Sequence, residues 1–207
     1  MPGGIAALLD FRNRLSEVGQ LIDAHGALTR LKNAEAALNA GGQTLQNVAA
    51  VVQHLVSPPQ PGRPPEVQAL NSAGIALLSA HLQGFVIDLF VEVAQVTLNG
   101  KVKDLAALTD SANTRGNPNE QNIIRLFNSI GYPNVLDTVS WQKMSNKQLR
   151  AKLKAFNELR NKIVHGSSET VKKRTLANYL AVLTSFAEKL DQRLCREVQS
   201  VTGRNPW

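Results

Sequence analysis

Apolar residues recur along nearly the whole chain at steps of three and four, the spacing of a helix face, and no segment alternates with the period of two that a half-buried strand between hairpin turns requires. The clearest stripe is Leu176, Leu180, Leu183, Ala187, Leu190, Leu194, Val198 and Val201. It is the seam of a helix packed against another helix, predicted over about 169–202. Residues 4–40 read as one long or two shorter amphipathic helices, which Gly41-Gly42 interrupts before a helix running to about Leu55. The segment Ser57-Pro58-Pro59-Gln60-Pro61-Gly62-Arg63-Pro64-Pro65 is predicted non-helical. Its prolines remove amide donors and push each preceding residue towards extended backbone. Its last prolines can open the next helix, from about Glu66 to Leu98, which Asn99-Gly100 ends. After a less regular stretch, Asn117-Pro118 is predicted to start a helix to about Ile130, stopped by Gly131-Tyr132-Pro133. Ser145 then caps a helix ending at His165, with Gly166 as its breaker. The fold class is all-α: an N-terminal helical region over 1–56, a Pro-rich linker over 57–65 and a helical domain over 66–207.

Composition narrows this picture. With 43% hydrophobic but only 5% aromatic residues, the core must be built from Leu, Val, Ile and Ala, which suits helix packing. The single cysteine, Cys195, excludes an internal disulfide and a multi-cysteine zinc site, and is expected to be a buried structural thiol in a reducing compartment. Met1-Pro2-Gly3-Gly4 lacks the basic start of a secretory signal, and Asp88 and Glu92 cut the apolar run from Phe85 to Val96. A soluble cytoplasmic protein, without membrane contact, is the expectation. There is no G-x4-G-K-[ST] loop, no H-E-x2-H helix and no G-x-S-x-G elbow, so neither a cofactor nor a metal is expected.

Charge is strongly localised. From Trp141 to Thr175 there are ten Lys/Arg against two acids, leaving −1 for the rest of a chain whose total is +7. A basic region this local suits a polyanion such as RNA. Within it lies Arg160-Asn161-Lys162-Ile163-Val164-His165-Gly166, on the last turns of a predicted helix. On a helical wheel Asn157, Asn161 and His165 fall within roughly 80° of one another, while Arg160 is displaced by about 140° from His165. One straight helix therefore does not aim both side chains at one atom, whereas two such helices facing each other across a symmetry axis can form one cleft.

RNA carries its own nucleophile, the 2′-hydroxyl. Cleavage needs a base for its proton, stabilisation of charge on the phosphorane-like transition state, and protonation of the leaving oxygen. His165 has the side-chain type suited to general base or acid. Arg160 offers a bidentate fork to phosphate, and Asn161 is the amide that orients His165 or the phosphate. Lys162, Lys172, Lys173 and Arg174 would guide the RNA backbone without reading bases. The structural alternative is that Arg and His simply favour the macrodipole at a helix C-terminus. The residues Lys143, Lys147, Arg150, Lys152 and Lys154 read as a solvated charged face. His81 and Asp88, seven apart on one stripe with Gly84, either line the cleft near His165 or are a satisfied core histidine and a carboxylate paired to a neighbouring helix. His25 and His54 read as surface or packing residues.

The Arg160 to His165 string resembles the R-N-x3-H motif of the HEPN superfamily, all-helical domains found in many toxin and antiviral ribonucleases and in some nucleotide-binding partners. Leu78-Ser79-Ala80-His81-Leu82-Gln83-Gly84-Phe85 is similar to the first core helix of the RiboL-PSP-like HEPN branch, and Gly116-Asn117-Pro118 through Ile130-Gly131-Tyr132 to its middle helix. The resemblance covers about 68–205. It implies a homodimeric endoribonuclease, acting as a toxin or in antiviral defence, with an antitoxin protein as a possible partner. Its alternative implication is a non-catalytic module binding RNA, a nucleotide or a protein. The chain departs from the family pattern at Gln83, where members often carry glutamate.

Overall fold

The structure, a computed structural model, describes residues 5–40, 65–99, 104–114, 116–166, 169–204 and 206. Among these are six helices: α1 (Ile5–Ala40), α2 (Pro65–Thr97), α3 (Leu105–Asn113), α4 (Glu120–Asn128), α5 (Asn146–Val164) and α6 (Lys173–Thr202). The described residues contain no strand, only the isolated bridge between Trp141 and Met144. The fold is all-α, as the periodicity requires.

Central to the bundle is α2, which packs against α1, α3, α5 and α6. Over Ala69–Thr97 it is long and apolar enough to cross a membrane by composition alone. Here its apolar residues are covered by protein instead: Ile75, Leu78, Leu82, Phe85, Leu89 and Val93 are almost wholly buried. The helix α1 runs antiparallel to it, as Ala7 meets Glu92 and Glu17 meets His81. One continuous helix therefore replaces the option of two shorter ones before Gly41. Phe11 and Val18 of α1 join the common core, and the Phe11 and Phe85 rings stand 5.0 Å apart. Such a pair adds about 0.5–1.5 kcal/mol to the burial of its area. The N-terminal helix thus shares the core of the domain rather than lying apart from it. The expected helix after Gly41-Gly42 and residues 57–64 of the linker lie outside the described residues, while Pro65 opens α2 at the position where its missing amide costs nothing.

Local stop signals held where tertiary contacts do not compete. Asn99 takes a left-handed φ of 51° beyond the end of α2. Ser145 and Gln148 form a reciprocal capping box at the start of α5, and Gly166, with φ 76°, ends it. Three expectations need correction. The less regular stretch after Gly100 contains α3, capped by Asp104 whose Oδ1 accepts from the Ala107 amide at 2.9 Å. Next, α4 begins at Glu120 and is capped by Asn119, so Asn117-Pro118 forms a loop ahead of it and Ile130 lies past its end. Finally, α6 begins only at Lys173, because Val171 is drawn into the core and its carbonyl accepts from Asn71 Nδ2 at 2.8 Å. Cys195 is half-buried rather than buried, with its thiol pKa pushed up by desolvation. Val201 is 70% exposed although it continues the α6 seam.

Glu92 carries a pH dependence of stability. Its Oε1 accepts the Ala7 amide, one of the unpaired donors at the start of α1, at 3.1 Å, but its Oε2 is buried with no hydrogen-bond partner. Burial outweighs that single bond, and the nearby Asp191, Asp88 and Asp10 add repulsion, so its pKa is raised to about 7. The folded state then favours the protonated acid: its contribution is full below the unfolded value near 4.5 and is lost as pH climbs to about 7. With residual solvent allowed for, this is worth roughly 1–2 kcal/mol. In urea denaturation at pH 8, Glu92→Gln is expected to be more stable than the parent by about that amount, with the two converging near pH 4.5. An equal gap at both pH values would contradict the assignment. Asp88, also raised by burial, would keep its own share in the variant.

Candidate active site

The last turns of α5 carry the R-N-x3-H string to the surface. Asn161, Lys162 and His165 are exposed, and Arg160 is half-buried. His165 is the residue that ends the helix, at φ −85° and ψ 12°, with its amide donating to the Asn161 carbonyl at 2.9 Å. The wheel therefore stops applying at its last position. Arg160 is also closer to the stripe than its angle implies: its long side chain folds back so that Nη1 donates to Asn161 Oδ1 at 3.2 Å. A guanidinium has no acceptor, so the amide must turn its oxygen towards Arg160. The same oxygen accepts from Asn117 Nδ2 at 3.2 Å, across from the loop before α4. Asn161 thus holds Arg160 with its side chain and His165 with its backbone.

The loop supplying Asn117 is itself tied down. Its carbonyl accepts from Asn122 Nδ2 at 2.9 Å, and Asn119 Oδ1 caps α4 through the Asn122 amide at 2.9 Å. Below it Asn157, 7% exposed, donates to Leu153 O at 2.9 Å and Pro118 O at 3.5 Å, while its Oδ1 has no partner. Arg150 clamps the start of α4 onto α5, with Nη1 on Glu120, Nη2 on Asp137 at 2.7 Å and Nε on Asn146 Oδ1 at 2.9 Å. A residue read as part of a solvated face is thus a partly buried brace. Asn117 and the brace were missed in the sequence because Asn161 lies 44 residues from Asn117, and Glu120 and Asp137 lie 30 and 13 residues from Arg150.

The remaining basic residues divide. Lys162 Nζ bonds Glu169 Oε1 at 2.5 Å, a hydrogen bond that pushes its pKa up, and it would reach a phosphate only by releasing that carboxylate. Lys172 and Arg174 are exposed at the start of α6. Lys173 is half-buried over Gly26 of α1, where a side-chain carbon would lie 3.3 Å from its Nζ. The start of α6 has no side-chain cap and no acid in its first turn, so these cations oppose its macrodipole. His81 and Asp88 are placed on the α1 side. His81, 9% exposed, has Nε2 3.1 Å from Glu17 Oε2, and Asp88 is raised by burial against the opposing pull of Arg14. The structure shows the pairing with a neighbouring helix for His81, and for Asp88 the electrostatic pull of Arg14 on that helix. His25, 6% exposed, is a packing residue, and His54 lies outside the described residues.

Fold and site together define an all-helical domain that presents an arginine, an amide and a histidine at the end of one helix. The sequence model of the RiboL-PSP-HEPN family matches residues 43–196, and the chain belongs to that family. The match starts further upstream than the resemblance over about 68–205 and ends within α6, leaving α1 ahead of it. No match was found among curated proteins or among solved structures. Membership makes this an RNA-related module of a class generally associated with ribonucleases, in which some members are non-catalytic.

Proposed function

We propose that the chain is a metal-independent endoribonuclease of the HEPN type, working as a homodimer in a toxin–antitoxin or antiviral-defence setting with an antitoxin protein as its natural restraint. The observation that carries this is the Arg160 guanidinium fixed on Asn161 beside an exposed His165. Arg160 would grip two phosphate oxygens and stabilise the charge that gathers there, with Asn161 holding the fork in place before substrate arrives. A base removes the 2′-hydroxyl proton, the oxygen attacks phosphorus, and the 5′-oxygen leaves with a proton from an acid. The products are a 2′,3′-cyclic phosphate and a 5′-hydroxyl. The motif offers one imidazole for these two proton transfers. A second copy of the chain would supply the other, which is the chemical reason to favour a dimer.

The test is incubation of labelled structured RNA with the protein in excess chelator, followed by analysis of the fragment ends. Cleavage leaving cyclic phosphates supports the proposal. Tight binding without cleavage would make the chain a non-catalytic module. Binding should be salt-dependent, because Lys172, Lys173 and Arg174 bring three cations to an uncapped helix start. Changing all three to Gln is expected to weaken RNA affinity and to flatten the slope of log K against log salt by up to about two. An unchanged slope would remove these residues from the interface.

A further inference from the structure

Between the start of α4 and the middle of α5 lies an open groove of about 280 Å³. One wall is the first turn of α4 with its cap, Asn119–Gln121, and the other is Lys154, Glu158 and Asn161. Asn157, the buried member of the lining, forms the floor. Every side chain that lines it is polar or charged, and their carbon stems and polar ends together suit a flat ring with a polar edge. Its one lysine already faces the carboxylate of Glu158, so it does not suit a phosphate. What fits is an uncharged group rich in hydrogen-bond donors, because the lining is rich in acceptors. Glu158 makes the point most directly, as an exposed carboxylate in the wall, while Asn157 closes the floor with its amide hydrogens committed to backbone carbonyls.

We infer that this groove is a guanine-reading subsite, taking the base of the nucleotide next to the phosphate held at Arg160; the inference rests on the ribonuclease proposal. Asn161 belongs both to the groove and to the pair with Arg160, so a base in one and a phosphate at the other belong to one nucleotide. Of the two carboxylates, Glu120 is occupied by Arg150, whereas Glu158 is exposed and meets Lys154 only at 3.9 Å. A free carboxylate presents two parallel acceptors. Among the four RNA bases, guanine alone has two adjacent donors on its Watson–Crick edge, N1–H and the N2 amino group. Adenine and cytosine offer one donor beside an acceptor, and uracil one donor flanked by acceptors. Lys154, one turn before Glu158, supplies the donor for guanine O6. No aromatic side chain lines the groove to stack on the base, so edge recognition must carry the selectivity.

The experiment titrates the full-length protein and its Glu158→Gln variant with GMP, AMP, CMP and UMP, followed by amide NMR shifts, and compares cleavage of RNAs differing in one unpaired base. GMP is expected to bind the parent about ten- to a hundred-fold more tightly than UMP, the discrimination of one bidentate pair. Glu158→Gln should erase that preference, since one acceptor becomes a donor, and Lys154→Met should reduce it independently. Equal binding of the four nucleotides, or a guanine preference that survives Glu158→Gln, overturns the inference. Selective GMP binding without cleavage of any RNA would keep the subsite and discard the ribonuclease proposal. Cleavage without base preference would do the reverse.

Discussion

Replacing His165 with Ala is expected to slow RNA cleavage by roughly 10²–10⁴-fold, the usual contribution of a positioned proton-transfer group. The fold should be nearly indifferent. His165 is exposed, and the bond that finishes α5 runs from its backbone amide to the Asn161 carbonyl, which alanine keeps. Stability should therefore stay within about 0.5 kcal/mol of the parent. Because the imidazole acts on protons in the transition state, kcat should fall with KM little changed. Neutralising Lys172, Lys173 and Arg174 should show the opposite split, raising KM through weakened attraction of the RNA. Arg160→Lys provides a second check, since it keeps the charge but loses the fork and its hydrogen bond to Asn161. The measurement is single-turnover cleavage with matched thermal melts. A variant that cleaves at the parent rate would remove His165 from the chemistry.

Much of the frame was legible because it depends on neighbours in sequence. The Ser145 cap, the Gly166 stop, the long α1 and α2, and the Arg160 to His165 string are all local patterns. Relations between distant segments were not legible. The start of α6 is set by Asn71, which binds the Val171 carbonyl across 100 residues of chain. Asn117 reaches Asn161 across 44 residues, and Arg150 reaches Glu120 across 30. Such contacts leave no periodic trace. The wheel treats each side chain as a direction from its Cα and could not anticipate that a long one would turn back to Asn161. Val201 shows the converse limit: periodicity defines a face, and only the neighbouring elements decide how far along the helix that face is covered.

Gly74→Val is expected to destabilise the protein by roughly 2–4 kcal/mol, whereas Gly19→Ala should stabilise it by up to about 1 kcal/mol. Both glycines sit inside long helices, so both pay the same backbone-entropy cost relative to alanine. Their surroundings differ. At Gly74 an added Cβ would stand 2.5 Å from Leu176 Cδ2, 3.2 Å from Cδ1 and 3.4 Å from Cγ, so the whole end of the leucine blocks it. Leu176 is fully buried and cannot swing aside without disturbing the first turn of α6. Asn71, one turn before Gly74, holds Val171 just ahead of that turn. Widening the α2–α6 crossing should therefore also loosen the segment that presents Lys172, Lys173 and Arg174. At Gly19 nothing lies within 4 Å of the added carbon, so the gain in helix propensity is unopposed. Urea unfolding of the two variants and the parent decides the matter. Shifts of the same sign would mean that helix propensity, and not the closeness of α2 to α6, governs these positions. Opposite shifts, together with weaker salt-dependent RNA binding by Gly74→Val alone, would tie the basic start of α6 to the packing beneath it.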